Sequence, residues 1–445
     1  MSPFSDTSLP PEPPPLGASE IPHIRGTTSR IWHVVLIAFI AIVFTAIFIS
    51  SYEWLNEVIW FSNEYVTTNR WVILVGVLGF SLLVGLCQKY LHAPTVIHGG
   101  FVESMKGDVK MDYRTFPGAL LSSLFSLLSG ASVGPEGTIS LLVSDIAVYT
   151  REKLKIAVDS ANDALGFDVA ALASAFNGIV GSVLFTGIFA TEFQVGGKKD
   201  AFRFITWNLL AGTIGYLFYV ALGLPSFASQ IPFTPVTELK LAYIVYAILL
   251  GLLGALLALF AGVSMQAAGR IMGRFENRVV LRVLIAGVVI AIIGYFLPVL
   301  LFSGEHQIHA IINNPTEFGI AMLLLLAVLK ILLLALSFKS GYIGGPIFPI
   351  LFSSTMIGLA LSLAFPGVPI SIFVLCIEAA AITLALGAPL TAIILVAIVG
   401  TADAYSLALL TLSAVVALMI SLAFRQWREK KSAGMPSQEP RPGEA

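Results

Sequence analysis

Charge is scarce in this chain: of 445 residues only 11% are Asp, Glu, Lys or Arg, against 57% hydrophobic. A soluble domain carries roughly 25% charged residues, so a water-facing globule is excluded. Cysteine is nearly absent, and both cysteines, Cys87 and Cys376, lie in apolar segments, where they read as small buried hydrophobes. The six histidines are scattered, without an HExxH-like pair, so neither a metal site nor a cofactor is implied. No nucleophile–base pair is visible at membrane depth, which argues against an intramembrane enzyme. A net charge of −1 and the lack of a basic stripe leave nothing for nucleic acid to hold. Residues 1–30 contain PPEPPP and many Ser and Thr, with no apolar core before Trp32, which excludes a signal peptide. Residues 1–30 and 426–445 therefore read as a disordered N-terminal tail and a short C-terminal one.

What the chain does have is apolar runs of about 20 residues, enough to cross roughly 30 Å of hydrocarbon. They include Trp32 to Ser51, Trp71 to Tyr90, Phe202 to Leu222, Leu241 to Met265, Ala321 to Ser337 and Leu407 to Phe424. An all-α multi-pass membrane protein follows. Arg425, Arg428, Lys430 and Lys431 directly after the last run, with Arg25 and Arg30 before the first, put both termini in the cytoplasm of a cell-membrane protein. Between the clean runs, residues 115–147, 168–193, 340–365 and 366–400 are apolar but broken by Gly and Pro. Broken helices at membrane depth are tolerated where the backbone is buried or lines a polar cavity, and in transporters their N-termini point at bound ions. A transmembrane domain over 31–425 divides into halves of similar length, about 31–223 and 240–425, joined by the polar linker PSFASQIPFTPVTE. Each half has a break ahead of an apolar helix: GASVGPEG (130–137) and SGYIGGPIFP (340–349).

The first break carries the chemistry. Pro135 suits the first turn of a helix, and the free amides after it, with the helix dipole, make an anion site. Glu136 places a carboxylate on those same donors, where it competes with a mobile anion or is displaced and protonated. The alternative is a first-turn Glu that merely caps its helix near the interface.

GASVGPEGTISLL resembles the gating signature of the CLC chloride channel and chloride–proton antiporter family, G(K/R)EGP, with Pro135 in place of the basic residue and Thr138 in place of the proline. FNGIVGSVLF (176–185), LKILLLALSFKSGYIGGPIFPILF (329–352) and LGAPLTAIILV (386–396) resemble three further family segments in the same order. The resemblance implies an antiparallel inverted repeat of tilted and broken helices, a homodimer in lipid, and transport of chloride or another small anion, with protons as a second substrate in the exchangers. It makes Glu136 the gating glutamate. Gly134, Pro135, Glu136 and Gly137 form the outer anion site, and Gly345, Ile347, Phe348 and Pro349 the second-half loop. In the family two consecutive amides of that loop face the ion; here Pro346 lacks one of them, a donor that is missing unless Phe348 substitutes.

Other positions depart from the family. Its central serine falls in LHAPTVIHGGFVE (91–103), where Ala93 takes the place and Thr95 offers a hydroxyl. Its inner tyrosine has no counterpart after Phe424, and Tyr405 matches a different one. The exchangers' internal glutamate aligns with Phe189, and Glu192 lies three residues on. Glu192 and Glu378 are the candidate proton-path carboxylates, with a buried hydrogen-bonded Glu as the alternative for Glu378. Asp145 reads as structural. Lys330 either raises the potential of the pathway or snorkels. The basic stretch 266–282 reads as a solvated loop. A fluoride–proton antiporter of the same fold is the alternative to chloride transport, because altered serine and tyrosine positions mark that branch too.

Overall fold

The computed structural model describes residues 25–63, 68–95, 113–156, 161–192 and 197–433. Most of both expected tails, and residues 96–103 of the stretch aligned with the central serine, lie outside them. Among the described residues there are fifteen α-helices. The first half holds α1 (Arg25–Asn56), α2 (Trp71–Tyr90), α3 (Phe116–Leu128), α4 (Pro135–Lys153), α5 (Ala161–Ala175), α6 (Val183–Glu192) and α7 (Gly197–Leu222). The second holds α8 (Leu241–Met272), α9 (Val279–Phe296), α10 (Glu305–Asn313), α11 (Pro315–Ser340), α12 (Ile347–Ala364), α13 (Ile370–Leu386), α14 (Pro389–Val399) and α15 (Ala404–Ala433). Helix α1 starts at Arg25, inside the expected tail, and α15 continues to Ala433, because extending an existing helix past its apolar run adds a bond for each residue fixed.

Among the described residues eight spans are long and apolar enough to cross a bilayer. Six contain the runs visible in the sequence; Val279–Phe296 and Ile347–Ala364 join them. The second of these is unlike the rest, with 78% of its apolar window buried inside the protein. It is a core helix that starts at a break.

The two halves repeat one packing scheme. Helix α1 lies against α5 and α7, which touch each other; α8 lies against α13 and α15, which also touch. The halves meet through α2 on α9 and α6 on α14. Their directions are opposed. From its break α4 runs to the face where Tyr149 meets Tyr113, their ring centroids 5.3 Å apart. From its own break α12 runs to the other face, where Pro366–Ile370 and Thr234–Glu238 of the linker line a cavity of about 380 Å³. An antiparallel inverted repeat is the result.

The linker is bound to both halves. Phe227 and Ala228 amides donate to the Gly178 and Ile179 carbonyls at 2.9 and 2.8 Å, and Ile231 N–H donates to Val399 O at 2.7 Å. Asp403 caps α15 by accepting from the Tyr405 and Ser406 amides at 2.9 and 3.0 Å, and its other oxygen accepts from Val236 N–H at 3.0 Å and Ser406 Oγ at 2.6 Å. Partial burial alone would raise its pKa, but the hydrogen bonds from Ser406, Val236 and Tyr405 outweigh this and hold it below the usual value. A depressed carboxylate stabilises the fold above its unfolded pKa of about 3.9 and loses that contribution as pH falls through the folded value. Asp403→Ala therefore lowers stability by about 1 kcal/mol at neutral pH, as loss of a helix cap does. In a thermal melt in detergent the difference from wild type narrows below about pH 4.

Candidate anion-binding site

Helix α3 ends at Leu128, and the chain crosses Ser129–Val133 before Gly134 turns extended (φ −96°, ψ 162°) and α4 starts on Pro135. In the second half Gly341, at φ 106°, ends α11 in the left-handed region that glycine tolerates, and α12 starts on Ile347. The two breaks meet. Gly134 N–H donates to Gly345 O at 2.8 Å, and Gly345 N–H donates to Gly134 O at 2.7 Å. Two flanking bonds fasten this bridge: Thr138 Oγ1 donates to Ile343 O at 3.3 Å, and Ile343 N–H to Ser126 Oγ at 3.0 Å. The approach is so close that a Cβ on Gly137 would strike the Gly344 carbonyl.

Glu136 sits in the first turn of α4, 1% exposed. Its Oε1 accepts from the Ile347 amide at 2.6 Å. Oε2 is buried with no hydrogen-bond partner. A side chain from one helix N-terminus thus caps the other, between two helix dipoles whose positive ends converge. Among the described residues the carboxylate is held by a main-chain N–H group, the kind of donor that also suits a small anion.

The structure brings together Gly134, Pro135, Glu136, Gly137, Gly345, Ile347 and Phe348. Pro349 lies in the first turn of α12, its carbonyl taken by Ser353 Oγ at 2.9 Å. Thr95 sits beside Gly341 instead of Gly345, and its carbonyl accepts from Arg282 Nη2 at 3.2 Å.

Glu192 accepts from the Leu390 and Thr391 amides, both at 2.5 Å, and so caps α14 with both oxygens. Phe189, at the aligned place of the internal glutamate, packs on Phe176 and Phe185 with centroids 5.4 and 6.0 Å away. Glu378 is buried in α13, its Oε1 2.7 Å from Thr355 Oγ1, which also lies 2.8 Å from Leu351 O. One hydroxyl proton cannot serve both oxygens. If Thr355 donates to Leu351, only a protonated Glu378 can complete the pair. Asp145 is buried in the wall of a cavity of about 570 Å³ with Phe44, Tyr113 and Tyr149.

Lys330 does not snorkel. Fully buried, its Nζ donates to the Phe302 and Leu300 carbonyls at 2.7 and 3.1 Å and lies 4.9 Å from the Phe352 ring centroid. Arg282 likewise corrects the reading of a solvated loop: α8 extends to Met272, and Arg282 is buried in α9 with Nε 3.1 Å from Ser340 O. Ser126 and Thr355 escaped the sequence reading, and Thr138 entered it only as a departure from the signature. Their signal was a set of hydroxyls inside apolar helices, including the run SSLFSLLSGAS over 122–132.

Comparison with known proteins gives a consistent picture. The "Putative ion-transport protein YfeO" of Escherichia coli O139:H28 (strain E24377A / ETEC) is 27% identical over 265 residues, 58% of this chain and 61% of that protein. The protein of the same name from Shigella boydii serotype 4 (strain Sb227) matches at 27% over the same shares. The chain thus spans about three-fifths of the length of these curated relatives. Among solved structures, the crystal structure of a CLC-type fluoride/proton antiporter superposes with a TM-score of 0.72 at 19% identity, over 89% of this chain and 96% of that one. A slow cyanobacterial Cl−/H+ antiporter gives 0.71 at 18%, over 88% and 93%. The profile of the family described as "Voltage gated chloride channel" matches residues 80–422, and the chain belongs to that family.

Proposed function

We propose that this protein moves chloride or another small anion across the cell membrane through a pore gated by Glu136. The observation that carries this reading is the Glu136 carboxylate: buried at the N-terminus of its own helix, held on Oε1 by the Ile347 amide of the opposed helix, and unpartnered on Oε2. A capping Glu near the interface would be wetted; this one lies where a dehydrated anion would bind. Dipoles without a full positive charge bind weakly enough for an ion to leave. Protonation takes the carboxylate off the amides and frees them for the anion. Flux from liposomes therefore rises as pH on the linker side falls. That side is the outer one if both termini are cytoplasmic, and the family resemblance adds a homodimer with one pore in each subunit. Flux indifferent to pH on that side would overturn the gate.

Within this reading, proton coupling rests on Glu378, the buried carboxyl whose Thr355 partner accommodates either protonation state. Glu192 is tied as a cap and is the weaker candidate. With Glu378→Gln, proton uptake driven by an anion gradient falls by about tenfold, and anion flux by much less. Equal losses of both would make Glu378 structural. Fluoride transport is the second reading, favoured by the missing central serine; a fluoride-to-chloride efflux ratio well above one selects it.

A further inference from the structure

The linker between the halves is held more closely than a connector requires. Phe227, 3% exposed, presents its ring edge-on to Phe348, with centroids 5.0 Å apart and planes at 82°. Tyr52 of α1 and His306 of α10 flank the same ring at 6.3 and 6.4 Å. Two residues on, Ser229 is clasped by Glu305, whose Oε1 accepts from both its hydroxyl and, at 3.3 Å, its amide; His309 Nε2 lies 2.7 Å from the same hydroxyl. Glu305 is buried in the first turn of α10. The preceding Gly304 abuts α12 so tightly that a Cβ there would meet Phe352 Cβ at 3.0 Å. Linker, α10 and α12 together form a bracket behind the Ile347 amide that bears on Glu136.

We infer that the linker is part of the gate: Phe227, fixed by the Ser229–Glu305 clasp, positions the Ile347 amide that holds the Glu136 carboxylate. This rests on the gate reading above. Phe348 joins the two levels, because its ring meets Phe227 and it directly follows Ile347, whose amide donates to Glu136. Edge-to-face aromatic pairs are directional, so removing one ring frees the other to tilt. The first turn of α12 tilts with it. Among the described residues the hydrogen bond on the Glu136 carboxylate comes from an amide, so the placing of that amide bears directly on how firmly the anionic form is held. The clasp has its own titratable neighbours: His306 and His309 on α10, and Glu53 and Tyr52 on α1. Phe227 and Ser229 are chosen as test positions because neither titrates.

The experiment is anion efflux from liposomes against linker-side pH, in the native background and with Glu136→Gln. Phe227→Ala moves the midpoint of acid activation up by about half a pH unit, a threefold change in proton affinity, because the carboxylate loses amide support. Ser229→Ala moves it the same way by less, and Phe227→Leu, which restores bulk, recovers part of the shift. With Glu136→Gln, Phe227→Ala changes flux by less than about twofold, because no carboxylate remains to be positioned. An unmoved midpoint in monodisperse Phe227→Ala and Ser229→Ala proteins overturns the inference. So does an equal change in flux with and without the Glu136 carboxylate, which would make the linker a structural tie. A wild-type protein without acid activation is a different result: it removes the gate itself, and this inference with it.

Discussion

Glu136→Gln transports at neutral pH about ten times faster than wild type or more, and its flux no longer climbs on acidification. The magnitude follows from what the amide side chain gives up. A hydrogen bond to an ionised acceptor contributes about 1.5–3 kcal/mol, and each 1.4 kcal/mol is tenfold in occupancy. Glutamine keeps the shape of the carboxylate but not its charge, so an anion displaces it from the Ile347 amide far more easily. Glu136→Ala goes further by leaving the amides open to any anion of suitable size. Both variants keep Pro135 at the first position of α4 and the paired glycines beneath, so the junction itself survives. Efflux against pH separates the outcomes: a variant that titrates as wild type does would return Glu136 to the role of a helix cap.

Gly345→Ala is the second large effect, and it is conditional on Glu136. The three atoms that a Cβ at Gly345 would meet most closely, Cδ, Cγ and Oε1, all belong to Glu136. The carboxylate must leave the Ile347 amide, so the variant conducts at neutral pH as Glu136→Ala does. It also loses stability by about 1–3 kcal/mol, the usual consequence of overpacking. In a Glu136→Ala background the new methyl enters space already emptied, and the stability loss disappears. Gly137→Ala provides the contrast: its Cβ meets the Gly344 carbonyl and lies 2.8 Å from Gly345 N, and this main-chain collision cannot be relieved by trimming Glu136. A double-mutant cycle on thermal midpoints distinguishes the two, with coupling at 345–136 and little at 137–136. An uncoupled 345–136 pair would mean that Glu136 already rests elsewhere.

Much of this was readable from residue order. Pro135 ahead of Glu136 announces a helix start with a carboxylate on its free amides, and SGYIGGPIFP announces a second break in the corresponding place. Even the loss of the Pro346 donor follows from the chemistry of proline. Two kinds of feature were hidden. Pairings between distant segments, such as Gly134 with Gly345 or Ser229 with Glu305, leave no periodic trace in a chain read one residue after another. Long polar side chains in apolar helices are ambiguous: Lys330 and Arg282 look alike in sequence to residues that reach water. Only the carbonyls of Phe302 and Thr95 reveal that both are buried ties. Glu192 carries the same lesson, since whether a carboxylate waits for a proton or caps α14 depends on a helix nearly 200 residues away.

The paired hydrogen bonds between Gly134 and Gly345 also bear on biogenesis. During synthesis the first half enters the membrane with the amide and carbonyl of Gly134, and the carboxylate of Glu136, lacking the partners they will later have. Roughly two hundred residues must follow before Gly345 and Ile347 arrive. Uncompensated polar groups are expensive in lipid, each by several kcal/mol. A chain truncated after α7 is therefore a poor resident of the bilayer and a ready substrate for quality control. Expressing the halves as separate polypeptides should restore the protein only when both are made together.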